Sequence, residues 1–85
     1  MKVQKNILSE IIDKKCAAIN ATKKPREKKY RAKHEMFTLA NYLGVSFWTV
    51  WAWYTQKSNP RGVNYFALAD YYGYRIDKFY KLVDV

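Results

Sequence analysis

A heptapeptide that occurs twice in related form limits the fold of this chain more than any other feature. Leu39-Ala40-Asn41-Tyr42-Leu43-Gly44-Val45 is matched 29 residues later by Leu68-Ala69-Asp70-Tyr71-Tyr72-Gly73-Tyr74, and the match continues with Val50 against Phe79 and Trp53 against Leu82. Each copy predicts two helices meeting at a corner. Ala stands where the helices approach closely, and Gly stands where the chain leaves the first helix in a left-handed conformation that side chains resist. At the first corner Val45 is the plug, Ser46 is placed to cap the second helix through its side-chain oxygen, and Val50 and Trp53 fall on one side of that helix.

The rest of the chain is read around that corner. Eighty-five residues suffice for one domain with a modest core. Fourteen of the fifteen aromatic residues lie beyond position 36, with only Tyr30 before it, so the core is expected mostly in the C-terminal half. Gly44, Gly62, Gly73 and Asn59-Pro60 divide that half into helices over about 34–43, 46–56, 62–72 and 75–82. At the other end, Ile7, Leu8, Ile11, Ile12, Lys15 and Ile19 recur at helical spacing and predict an amphipathic helix over 1–20 whose stripe needs a partner surface. The expected fold class is all-α, a small bundle of about five helices. Its organisation is an N-terminal helix (1–20), a basic connecting segment (21–35) and a helical domain (36–82). Strand-like alternation is not sustained anywhere, although the aromatic run 47–54 has the β-propensity of a strand.

The connecting segment is strongly charged. Lys23, Lys24, Arg26, Lys28, Lys29, Arg31 and Lys33 are opposed there only by Glu27, within a chain of net charge +9, which attracts polyanions such as nucleic acid. Two conformations stay open. With Pro25 in its first turn, a long helix could run on to Leu43, setting Arg26, Lys29, Lys33 beside Lys24, Lys28, Arg31 as two basic rows. Alternatively the segment is a flexible arm before a shorter helix.

The pattern Leu39-Ala40-x-x-Leu43-Gly44-Val45-Ser46-x-x-x-Val50-x-x-Trp53 resembles the helix-turn-helix of the Cro and phage-repressor type. Pro60 followed by Phe66, Leu68, Ala69, Gly73, Ile76 and Phe79 is similar to the two helices that complete that domain. The resemblance implies a sequence-specific, repressor-like DNA-binding regulator of transcription from a bacterium, phage or other mobile element, acting as a homodimer on double-stranded DNA. It implies a second helix in the major groove, with Ser46, Phe47, Trp48, Thr49, Trp51, Ala52, Thr55 and Gln56 facing base edges. Phosphates would be held by the seven basic residues of 23–33 together with Lys57 and Arg61. The sequence departs from the family at Gln56, where Gly is common, and at Met36, where a phosphate-binding Gln is common. It departs most at Phe47, Trp48 and Trp51, where readers are usually polar. Those rings fit contact with thymine methyl groups or a wedge between base steps, burial against the N-terminal stripe or a second copy, or a protein partner. The last makes the alternative function a protein-binding module or inhibitor that reuses the scaffold.

Other classes find little footing. His34 is the only histidine and Cys16 the only cysteine, so neither a repeated-ligand metal site nor a catalytic Ser-His-Asp set is legible. No enzymatic activity, metal or cofactor is expected; Cys16 reads as a buried thiol and His34 as part of the basic surface. Met36 to Gln56 carries no charge and is long enough to span a bilayer. Asn41, the Gly44 corner and the mid-span Trp residues argue against that, and no membrane partner is expected. Met1 to Lys5 is charged and no long apolar stretch follows, so no signal peptide is expected, and a cytoplasmic location is.

Overall fold

The computed structural model describes residues 2–75 and 78–84. In chain order come strand β1 (Lys2–Asn6), helices α1 (Leu8–Ala21), α2 (Ala32–Leu43), α3 (Phe47–Tyr54) and α4 (Val63–Tyr72), and strand β2 (Tyr80–Asp84). The fold is mostly helical, as expected, with four helices among the described residues in place of about five.

The difference lies at the two ends. Residues 2–6, expected as the start of the first helix, and residues 80–84, assigned mainly to a fifth helix, pair instead as an antiparallel two-stranded sheet. The register sets Lys2 opposite Asp84, Val3 opposite Val83 and Asn6 opposite Tyr80, and the Ile7 amide extends the ladder to the Phe79 carbonyl at 2.9 Å. Neither strand has an intrinsic signal strong enough to declare itself, because each is stabilised by a partner at the far end of the chain. Lys5 faces Lys81 in this register, a repulsive pairing relieved by an ion pair from Lys81 to Glu10 on α1. Ile76, placed on the last helix by the resemblance, lies outside the described residues.

The N-terminal stripe finds its partner within the chain. Leu8, Ile11, Ile12 and Cys16 of α1 are buried with Met36, Leu39 and Ala40 of α2, Val50 and Trp53 of α3, Leu68 and Ala69 of α4, and Phe79. Each fully buried aliphatic contributes about 1.5–3 kcal/mol relative to exposure. Val50 and Phe79, equivalent in the repeated pattern, are both fully buried although one lies on a helix and the other just before a strand. Phe66, by contrast, is 56 % exposed.

The two glycine corners are built alike. Gly44 has φ +73° and the Val45 amide reaches back to the Ala40 carbonyl at 3.1 Å; Gly73 has φ +70° and the Tyr74 amide reaches Ala69 at 2.9 Å. A Cβ at either glycine would meet nothing within 4 Å, so backbone conformation and not space requires glycine there. The Gly44 corner also divides the uncharged stretch 36–56, and no helix among the described residues is long and apolar enough to cross a membrane.

The basic segment is neither the start of a long helix nor a free arm. α2 begins only at Ala32, and the two basic rows of the helical alternative do not form. Residues 22–31 make a loop clamped at its end by Asn20, whose Oδ1 accepts from the Tyr30 amide at 2.6 Å and whose Nδ2 donates to the Tyr30 carbonyl at 2.9 Å. Within the loop, the Lys23 ammonium donates to the Lys28 carbonyl and the Lys24 amide to the Glu27 carboxylate.

Beyond that clamp lies Glu35, a carboxylate with no exposed surface on the first turn of α2. It accepts from the Tyr30 hydroxyl at 2.6 Å, the Tyr72 hydroxyl at 2.6 Å and the Lys15 ammonium at 3.0 Å. Burial alone would push the carboxyl up, but these three donors outweigh it and hold Glu35 below the ordinary carboxylate range. Burial and the same carboxylate push the Tyr30 hydroxyl up to about 12 and Tyr72 higher still. Because the folded-state value of Glu35 is depressed, its contribution is present above the unfolded value near 4.5 and is lost as pH falls through the folded one. Because the tyrosines are raised, theirs is present below pH 10 and is lost as pH rises through the folded values. Glu35→Gln should therefore destabilise the fold by about 3 kcal/mol at neutral pH and flatten its loss of stability on the acid side, as read from urea unfolding midpoints between pH 3 and 7.

Candidate nucleic-acid interface

α3 has the sequence Phe-Trp-Thr-Val-Trp-Ala-Trp-Tyr, with no charged residue and low intrinsic helix propensity. Its ends hold it. The Ser46 hydroxyl accepts from the Thr49 amide at 3.2 Å and lies 3.0 Å from the Thr49 hydroxyl, the cap expected from the sequence. At the other end Gln56 takes φ +67° and the Lys57 amide reaches the Ala52 carbonyl at 2.8 Å. Gln56 thus adopts a left-handed conformation that favours glycine, and its side chain compensates. Its amide nitrogen donates to the Asn6 carbonyl at 3.0 Å and to Asn6 Oδ1 at 3.3 Å. Asn6 is itself buried, donating to the Trp53 carbonyl and to Asn59 Oδ1 while accepting from the Leu8 amide. The exit of α3 is therefore fastened to the junction of β1 and α1.

One side of α3 faces the core through Val50 and Trp53, and Tyr54 donates to Asp13 of α1 at 2.7 Å. Burial and that carboxylate push the Tyr54 hydroxyl up to about 12. The other side carries a connected strip of rings. Phe37 of α2 stacks on Phe47 at 4.3 Å between centroids, Phe47 meets the edge of Trp48 at 5.3 Å, and Trp48 meets Trp51 edge-on at 6.0 Å. Trp48 is 70 % exposed and Phe37 46 %, whereas Phe47 and Trp51 are half-buried. The N-terminal stripe does not cover this strip, since α1 is packed into the core.

Lys33 and Lys57 are the cations nearest the strip by helical spacing and by contact. Lys33 precedes Phe37 by one helical turn on the same side of α2. It belongs with Lys28, Lys29, Arg31 and His34 to the lining of an open depression of about 490 Å³. At the far end the Lys57 ammonium sits 4.6 Å from the Trp51 ring centroid, a cation–π contact, and exposed Arg61 lies four residues further along the chain. Of the other expected phosphate ligands, Lys24 and Arg26 are exposed on the loop and Lys23 is half-buried.

The structure thus brings Phe47, Trp48 and Trp51 together, adds Phe37 and sets Lys57 over Trp51, while Lys28, Lys29, Arg31 and Lys33 gather around the open depression. Phe37 escapes sequence reading because it belongs to the first helix of the corner; its spacing from Lys33 is the only available signal. The polar members of the expected base-reading set are differently placed. Ser46 and Thr49 are bonded to each other, the Thr55 hydroxyl donates to the Trp51 carbonyl at 2.9 Å, and the Gln56 amide is held by Asn6. Half-buried Ala52 offers no polar group.

Comparison with models of known families, with curated proteins and with solved structures finds no match to this chain, so its function is argued from the site itself.

Gln56→Ala keeps the left-handed backbone and loses the bonds to Asn6. It should lower stability by about 1–2 kcal/mol in thermal melts, and Gln56→Gly should recover part of the loss. An unaltered melt would show that these bonds do not hold the exit of α3.

Proposed function

We propose that this protein is a DNA-binding regulator of transcription from a bacterial or mobile-element setting. In this reading α2, the Gly44 corner and α3 form its helix-turn-helix, and α3 is laid against the bases. One observation carries it: the ring strip has Lys57 against Trp51 and Lys33 one helical turn before Phe37, with Lys28, Lys29 and Arg31 gathered around the same depression as Lys33, and rings beside cations suit a ligand of apolar bases on an anionic backbone. Lys28, Lys29, Arg31 and Lys33 on one side and Lys57 and Arg61 on the other hold phosphates, while Lys23, Lys24 and Arg26 add to the attracting field. Sequence preference arises from contacts of Phe47, Trp48 and Trp51 with thymine methyl groups and from the deformability of the site. Homodimerisation is proposed on analogy with the resembling family, since paired half-sites gain affinity that one module cannot reach.

A second reading is favoured by the exposure of Trp48 beside other rings, an anchor suited to a protein partner. Salt-dependent binding separates the two. Lys28→Glu/Lys29→Glu/Lys33→Glu should weaken binding to mixed-sequence DNA roughly a hundredfold at low salt. It should also reduce the slope of log affinity against log salt by about two to three, near the value for three lost phosphate contacts. Lys14→Glu on the exposed side of α1 should change little. Fluorescence anisotropy at two salt concentrations reads both, and absence of DNA binding at about 50 mM salt would reject the DNA reading in favour of a protein partner.

A further inference from the structure

In an intact duplex each base is covered above and below by its neighbours and exposes only its edges, which are recognised by donors and acceptors. The α3 surface is poorly matched to those edges. Ser46, Thr49, Thr55 and Gln56 are already hydrogen-bonded within the chain, and the helix carries no charge. What it offers is aromatic surface, chiefly that of Trp48. A contact with a single thymine methyl group needs one ring, whereas here four rings from two helices touch in sequence. Trp48 stands 70 % exposed with Phe47 and Trp51 packed against it, so little side-chain freedom is lost when it meets a ligand.

We propose that the strip Phe37, Phe47, Trp48 and Trp51 is a stacking platform for unpaired bases of single-stranded DNA. Trp48 is the principal stacking ring, and Lys28, Lys29, Lys33 and Lys57 hold the phosphates on either side. Aromatic rings alternating with cations are how single strands are held without hydrogen-bond readout, because every base has a π-face and every nucleotide a phosphate. The charges suit such a ligand: Lys57 sits over Trp51, Lys33 stands one helical turn before Phe37 beside Lys28 and Lys29 at the open depression, and α3 itself carries no charge. This inference rests on the DNA-binding reading and narrows it to DNA that is melted, bubbled or single-stranded where the protein sits.

The test uses the full chain and three fluorescein-labelled DNAs of one sequence: a single strand of roughly 15 nucleotides, near the site sizes of single-strand binders, its perfect duplex, and that duplex with a central unpaired bubble. The single strand and the bubble should bind at least about tenfold tighter than the perfect duplex at matched salt, and tryptophan emission should be quenched on binding. Trp48→Ala should cost roughly tenfold to a hundredfold in single-strand affinity without altering the salt slope, and Trp48→Phe should recover most of it. Trp48 is exposed, so circular dichroism of both variants should match the parent. A perfect duplex bound as tightly as the single strand would overturn the inference, as would a Trp48→Ala variant with unchanged single-strand affinity. A dimer dissociated by Trp48→Ala without loss of that affinity would reassign the strip to self-association. If the duplex is preferred while the triple charge reversal still weakens it, only this inference fails. If none of the three DNAs binds, the DNA-binding reading fails with it.

Discussion

The buried carboxylate of Glu35 is the constraint on which the arrangement of this molecule depends. A charge with no exposed surface persists only when its oxygens are fully hydrogen-bonded, and the three donors come from three separate places: Lys15 on α1, Tyr30 at the end of the basic loop, and Tyr72 on α4. A buried ionic cluster adds little net stability compared with apolar packing of the same volume, but removing one member leaves the others unpaired. Its effect here is therefore geometric. The Lys15 ammonium also lies 5.2 Å from the Tyr71 ring centroid and 5.6 Å from that of Tyr72, so the same cation joins α4 to the cluster through its rings. The loop that carries six of the sixteen Lys and Arg residues is fixed at Tyr30 by Asn20 on one side and Glu35 on the other. Its cations consequently end beside the first turn of α2, one turn from Phe37.

A second buried polar group does for α3 what Glu35 does for the loop. Asn6 links the β1–α1 junction to the Trp53 carbonyl, Asn59 and the Gln56 side chain. An eight-residue helix of aromatic and β-branched residues has little helical stability of its own. The Ser46 cap, the left-handed exit at Gln56 and the bonds to Asn6 hold it as a helix, with Val50 and Trp53 anchored in the core. Only this enforced helicity puts Trp48 and Trp51 on the side away from Val50. In an extended strand, alternation would divide the rings between the two faces instead.

Legibility from sequence followed the range of the interactions. The Gly44 corner, the left-handed end of α4 at Gly73, the Ser46 cap, the buried α1 stripe and the burial of Cys16 are set by residues within a few positions of one another, and helical spacing with glycine punctuation reveals them, whereas the helix expected after Gly73 gives way to β2. The terminal sheet was illegible because two weak five-residue strands acquire meaning only from each other, across almost the whole chain. Nothing in local spacing says that Tyr30, Tyr72 and Lys15 converge on Glu35. The fate of the basic segment turned on Asn20 and Tyr30, ten residues apart and outside any repeat pattern. At the candidate site, the helix phase was enough to separate Trp48 and Trp51 from Trp53. The engagement of Gln56 with Asn6 spans fifty residues and could not be anticipated.

These two buried polar centres also bear on how the candidate surface can act. Glu35 and Asn6 anchor opposite ends of the strip, the first through α2 and the loop, the second through the exit of α3, where Lys57 follows Gln56. The rings are thus presented by one packed body, and rings held in place in this way need little reordering to meet a ligand. The two kinds of contact respond differently to the surroundings. Ionic contacts at the rim weaken with salt, whereas ring stacking follows the exposure and shape of the partner. In the proposed reading, a surface built this way draws a polyanion by charge and then discriminates by which apolar faces that polyanion exposes, so selectivity resides in the state of the ligand more than in a pattern of donors and acceptors.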